Sequence, residues 1–170
     1  MKINEIFYSI QGEGAHSGEA AIFVRLSGCN LKCSFCDTEH QSYQDLTENE
    51  ICVEIAKYPA KLVVITGGEP TLQLNELLIS QIHELGKTIA IETNGTHPIP
   101  KGVDWVTVSP KEMFVGVVGK PIIEFAQEVK VVFDGEHEPD DCGITAAYYY
   151  LQPCYTGDEA KNREIVGQLV

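Results

Sequence analysis

The sequence predicts an α/β protein built as a partial, open βα barrel of about six parallel strands, with some outer helices missing. Three observations predict it. Six short runs dense in β-branched and aromatic residues recur along the chain, and amphipathic helical stretches stand between several of them. The 170 residues are also too few for the ~250 of a closed eightfold barrel.

The strand-like runs are residues 21–26 (AIFVRL), 62–65, 88–91, 105–108, 129–132 and 148–151. Several are apolar almost without interruption, the pattern of strands covered on both faces, as in parallel sheets. Residues 47–58 open with T-x-x-E (Thr47, Glu50), a capping box, and place Ile51, Ile55 and Ala56 on one helical face. Residues 70–85 start at Pro70, carry Leu74, Leu78, Ile82 and Leu85 at helical spacing and stop at Gly86. A shorter helix is predicted at 121–126 and another at 158–169. The connections 93–104 and 133–147 contain Gly, Pro and Asp without helical periodicity. Part of the sheet is therefore expected to lie uncovered, which favours a homodimer. One domain, residues 1–170, is expected.

Composition limits the function. Hydrophobic residues at 44% and charged ones at 22% are those of an ordinary globular protein. The 12 Lys+Arg stand against 25 Asp+Glu, a formal net charge of −13, with no Lys/Arg-rich run. Neither a nucleic-acid partner nor an anionic membrane surface is expected, because both rest on clustered positive charge. The opening MKINEIFYSI is not a secretory leader, and no run approaches the ~18 apolar residues of a membrane span. A cytoplasmic location is expected.

Three of the six cysteines, Cys29, Cys33 and Cys36, lie within eight residues in SGCNLKCSFCDT, directly after the first strong strand. Metal binding or catalysis suits such a cluster better than disulfides. The C-x3-C-x2-C spacing lets one loop wrap one metal centre, with Gly28 and Asn30 supplying the turn. Ferredoxin-type clusters use four cysteines. Here the remaining ones, Cys52, Cys142 and Cys154, are dispersed. Three ligands for four irons leave one iron open to a cofactor or substrate. The rival from spacing alone is a structural zinc, with His40 completing a Cys3His set.

C-x3-C-x2-C with an aromatic residue, Phe35, before the last cysteine resembles the radical S-adenosylmethionine (SAM) superfamily. Further stretches narrow the likeness: QGEG (Gln11–Gly14), FVRLSGCN, CDT, TGGEP (from Thr66), ETNGT (from Glu92), SPK (from Ser109) and YYLQP (from Tyr149). Most follow a predicted strand, where βα folds keep their active sites. Together they resemble the 7-carboxy-7-deazaguanine synthase family from about Ile6 to Pro153. The alternative is another small radical SAM enzyme, such as a glycyl-radical activase, which should lack QGEG and the threonine of CDT.

The resemblance implies a radical ring contraction of 6-carboxy-5,6,7,8-tetrahydropterin to 7-carboxy-7-deazaguanine with loss of ammonia, on the route to queuosine. It implies a 4Fe–4S cluster on Cys29, Cys33 and Cys36, SAM as a cofactor that is not consumed, and Mg²⁺ on Thr38. It also implies an electron donor such as flavodoxin or ferredoxin. No side chain is assigned as catalytic, because the SAM-derived radical carries the chemistry. Phe35, Cys36, Asp37, Gly68, Glu92, Asn94, Ser109, Pro110, Lys111 and Gln152 are expected around SAM. Ile10, Gln11, Gly12, Arg25, Thr66 and Pro153 are expected around the substrate, Arg25 as a bidentate clamp on its carboxylate. Each has a structural alternative: a hairpin turn at Gln11–Glu13, a salt bridge at Arg25, a strand-to-helix turn at Gly67–Gly68. Family members continue past LQP into a tail resembling R-x-Q-L-H-K, to which nothing here is assigned.

Overall fold

The six strand-like runs become strands lying side by side. The computed structural model describes residues 1–36, 38 and 42–170. Strands β1 (Lys2–Ile10), β2 (Ala20–Leu26), β3 (Gln44–Asp45), β4 (Leu62–Gly67), β5 (Thr88–Thr93), β6 (Trp105–Val108), β7 (Phe125–Phe133) and β8 (Thr145–Pro153) form one sheet in the order β3-β1-β2-β4-β5-β6-β7-β8. All pairs from β2 to β8 are parallel, and β1 and β3 add an antiparallel end. Sequential parallel neighbours are barrel topology. The ends do not meet, and the barrel is open.

Helices α1 (Glu48–Ile55) and α2 (Glu76–Glu84) cover the outer face. Ile51, Ile55, Leu78 and Ile82 pack there on Ile22, Val24, Val63, Ile65, Ile89 and Ile91, all fully buried. Each such side chain stabilises the fold by about 1.5–3 kcal/mol. The capping box forms as predicted: Glu50 N–H donates to Thr47 Oγ1 and Thr47 N–H to Glu50 Oε2. The predicted helix at 70–85 divides. Pro70–Leu72 is a 3-10 turn, and α2 begins only after Asn75, whose Oδ1 accepts from Leu78 N–H.

Helices α3 (Glu112–Val115) and α4 (Glu159–Leu169) complete the set, α4 capped by Asp158. The helix expected at 121–126 is a correction. Residues 120–124 are non-helical and lead into β7; Ile122 N–H donates to Gly95 O, with Ile122 exposed and Ile123 turned into the core. The β-branched pair reads there as an extended, alternating segment. Among the described residues no helix joins β5 to β6 or β7 to β8, as the two loop-like connections predicted, and none is long and apolar enough to cross a membrane.

Candidate active site

Side chains two apart on a strand share a face, and the inner face changes character along its length. Its lower part is apolar: Ala21, Phe23, Leu62, Val64 and Ala90 with Phe7 and Trp105. Phe7 stacks on Phe23 at 4.9 Å, and His16 meets Trp105 edge-on at 4.7 Å. Two positions further on, the same face carries Arg25, Thr66 and Glu92, with Lys130 of β7 beside them, around a cavity of about 420 Å³ at the carboxyl ends of the parallel strands. That volume is in the range of small-molecule sites.

The cysteine loop forms one wall. Cys29, Cys33, Phe35, Cys36 and Thr38 all border the cavity; Asp37 and His40 lie outside the described residues. Leu31 N–H points to Cys29 Sγ at 3.4 Å. Burial pushes the Cys29 and Cys33 thiols up, Lys111 partly offsetting this at Cys33. Among the described residues no three His, Cys, Asp or Glu side chains converge as ligands of a single ion. Three thiols on one cavity wall, with no fourth cysteine in their loop, suit a multi-iron group with one iron left open. Phe35 is held edge-on against Phe114 of α3 at 4.6 Å.

The turn after β4 explains TGGEP. A side chain at Gly68 would place Cβ 2.0 Å from the Gly28 carbonyl oxygen; only glycine lets this turn lie against the cysteine loop. Gly68 N–H donates to Leu26 O and Glu69 N–H to Gly28 O. The next N–H, of Thr71, goes to Glu69 Oε1. These amides are therefore spent within the protein. Glu69, fully buried, also accepts from Thr71 Oγ1, Thr93 Oγ1 (2.7 Å) and Asn94 N–H (2.8 Å). Asn94 in turn donates to Asn30 Oδ1, and Asn30 donates to Thr96 Oγ1. The cysteine loop is thus tied to β4 and β5.

At the opposite end, Glu92 is the hub. Its Oε1 accepts from Gln11 Nε2 (3.0 Å) and Lys130 Nζ (3.3 Å), and its Oε2 from Thr66 Oγ1 (3.2 Å). Lys130 also reaches Glu13 Oε2 at 2.6 Å. Burial pulls its ammonium down, but Glu92 and Glu13 outweigh that and hold it above the usual lysine value. Glu92 therefore groups with the expected substrate residues Gln11 and Thr66. Arg25 realises its structural alternative in part: Nε donates to Glu5 Oε1 at 2.8 Å, while the side chain still borders the cavity. Lys111 is no solvated surface lysine. It donates to Ser109 O and Oγ, and burial pushes it down to about 8.

Ser109, Gln152 and Pro153 border the cavity; Ile10, Gly12 and Pro110 do not. Ile10 is 64% exposed. Lys130, Glu13 and Glu69 are the functional candidates that the sequence reading missed. A buried polar position inside the apolar run VKVVF was the available signal for Lys130, since lysine is rarely buried unpaired.

Residues 23–114 match the family model described as the radical SAM superfamily. The chain is 52% identical over 159 residues to the 7-carboxy-7-deazaguanine synthase of Bacteroides thetaiotaomicron, covering 94% of this chain and 85% of that protein. It is 39% identical over 158 residues to the enzyme of the same name from Neisseria meningitidis serogroup B, covering 90% and 74%. The crystal structure of QueE from Escherichia coli superposes with a TM-score of 0.71 at 27% identity, covering 98% of this chain and 88% of that one. The chain belongs to the radical SAM superfamily and, within it, to the 7-carboxy-7-deazaguanine synthase family.

Proposed function

We propose that the chain converts 6-carboxy-5,6,7,8-tetrahydropterin to 7-carboxy-7-deazaguanine with release of ammonia, in the cytoplasm, on the route to queuosine. The observation that carries this reading is one cavity with two chemically distinct walls: three thiols on one side and the Gln11–Thr66–Glu92 network on the other.

Cys29, Cys33 and Cys36 would hold a 4Fe–4S cluster, leaving one iron without a protein thiol for SAM. Bound together, cluster and SAM would supply one-electron radical chemistry, started by an electron from a donor such as flavodoxin or ferredoxin. The chain's own residues bind and orient. The Gly68 carbonyl offers an acceptor to the SAM ammonium, and Phe35 and the Ser109–Lys111 turn flank the cofactor. Arg25, anchored by Glu5 through Nε, keeps its terminal nitrogens for the substrate carboxylate. Thr38 would offer a hard oxygen to Mg²⁺, which would supply Lewis-acid charge withdrawal at that carboxylate. Gln11, Thr66 and Glu92 hydrogen-bond the pterin ring from the far wall. Gln152 and Pro153 close the side.

The test is anaerobic cluster reconstitution followed by incubation with SAM, dithionite, Mg²⁺ and the carboxytetrahydropterin. The expected product is the deazapurine, seen by mass spectrometry. Formation of 5′-deoxyadenosine alone would remove this substrate and leave the superfamily. Equal turnover with and without Mg²⁺ would remove the role given to Thr38.

A further inference from the structure

The Gln11–Glu19 connection carries QGEG, yet only Gln11 and Glu13 of it border the cavity. The connection is fastened from below by one strand. On β7, Glu128 and Lys130 stand two positions apart on the inner face, 3% and 7% exposed. Glu128 Oε2 accepts from Ala15 N–H at 2.8 Å. Lys130 Nζ donates to Glu13 Oε2 at 2.6 Å. The fit at Glu128 explains the second glycine of the motif. Gly14 has φ +67°, and a Cβ there would lie 2.2 Å from Glu128 Oε1.

Lys130 also shares an acceptor with Gln11. The ammonium reaches Glu92 Oε1, the same oxygen that accepts from Gln11 Nε2, while Gln11 Oε1 accepts from Glu13 N–H. Without the ammonium, two carboxylates would face each other across Gln11 and repel. Glu128 is joined to the far side of the same connection and sets its height above the sheet.

We propose that β7 is the positioning strand of the substrate wall. In this role Glu128 and Lys130 clamp the Gln11–Glu19 connection, and Lys130 acts through Glu13 and Glu92 to aim Gln11 at the substrate. The clamp is read from geometry alone; what it serves rests on the pterin reading above.

Two measurements separate these. Hydrogen exchange on the cluster-loaded enzyme without substrate reports the clamp. Glu128→Leu and Lys130→Met are expected to speed amide exchange across residues 11–18 at least tenfold, with α1 and α2 unchanged. Glu128→Gln, which keeps an acceptor for Ala15, is expected to stay within threefold of wild type. Exchange unchanged in both Glu128→Leu and Lys130→Met overturns the clamp. Kinetics report its purpose. Lys130→Met is expected to raise KM for the carboxylated pterin at least tenfold with KM for SAM within twofold, and Lys130→Arg to recover most of the loss. A parallel rise in both KM values overturns the positioning role. If Lys130→Met does not hold its cluster, Glu13→Gln, which breaks the same ion pair from its more exposed side, decides in its place. A wild-type enzyme inert toward the pterin would fail the functional reading, while the exchange result would still judge the clamp.

Discussion

Lys111 shows how a single residue changes meaning between sequence and structure. In the SPK turn it is expected beside SAM, with a solvated surface lysine as the structural alternative, and Cys33, a thiol that acts on it electrostatically, lies 78 positions earlier. The cysteines were legible because their ligand spacing is local. Arg25 was legible because a charge in an apolar strand is conspicuous. Lys130 stands out in VKVVF in the same way, but its role was not legible, because its ion-pair partner Glu13 lies 117 positions away. The structure makes Lys111 a titratable cost to folding. Its folded value of about 8 lies below the ~10.4 of an unfolded lysine. Below pH 8 both states carry the charge, and the burial cost is present in full. Between the two values the folded protein has released a proton that the unfolded chain keeps, so stability rises with pH. Lys111→Met is therefore expected to be more stable than wild type at pH 7. That advantage should shrink by about 2 kcal/mol toward pH 10. Urea unfolding of the metal-free protein at several pH values, under reduction, checks it; a constant gap would mean that Lys111 titrates normally.

At the scale of elements, what was readable is what a run of residues decides for itself. The strand positions, the capping box of α1 and the Asp158 cap of α4 all depend on neighbours in sequence. The break before α2 and the extended approach to β7 depend on contacts made elsewhere. Asn75 caps α2 and also donates to Glu48 of α1, and Ile122 is held by Gly95. Glu69 is the strongest such joint. Its carboxylate gathers Thr71, Thr93 and Asn94, and its own N–H reaches the Gly28 carbonyl, so the cysteine loop, β4 and β5 share one anchor. Glu69→Gln keeps the shape but sets an amide NH₂ against groups that already donate. The expected cost is on the order of 3 kcal/mol, or roughly 6–12 °C in Tm for a chain of this length. Calorimetry of the cluster-loaded protein under anaerobic conditions measures it. A Tm within about 2 °C of wild type would show that Glu69 is not the anchor.

The whole molecule is a barrel that stops short of closing, which leaves two sheet edges of unequal kind. At one end β3 is two residues long and polar (Gln44, Asp45), a short edge of the sort that resists further pairing. At the other, β8 runs nine residues, and the outer face it shares with β7 exposes Phe125 (72%), Tyr149 (52%) and Leu151 (45%). Helix α4 buries Ile165 but leaves these side chains open. Missing outer helices were legible in the sequence as loop-like connections; which edge they expose was not, because that follows from strand order. An apolar face beside a long unprotected edge is best covered by a second copy across a twofold axis, burying the ~1,600 Å² typical of a stable pair. The enzyme is therefore expected to sediment as two chains at micromolar concentration. Leu151→Lys, placing a charge at the centre of that face, is expected to sediment as one chain while keeping its cluster, since residue 151 points away from the cavity. A wild-type protein that sediments as a single chain, or a Leu151→Lys variant that remains paired, would place any dimer contact elsewhere and leave the β7–β8 face as ordinary exposed surface.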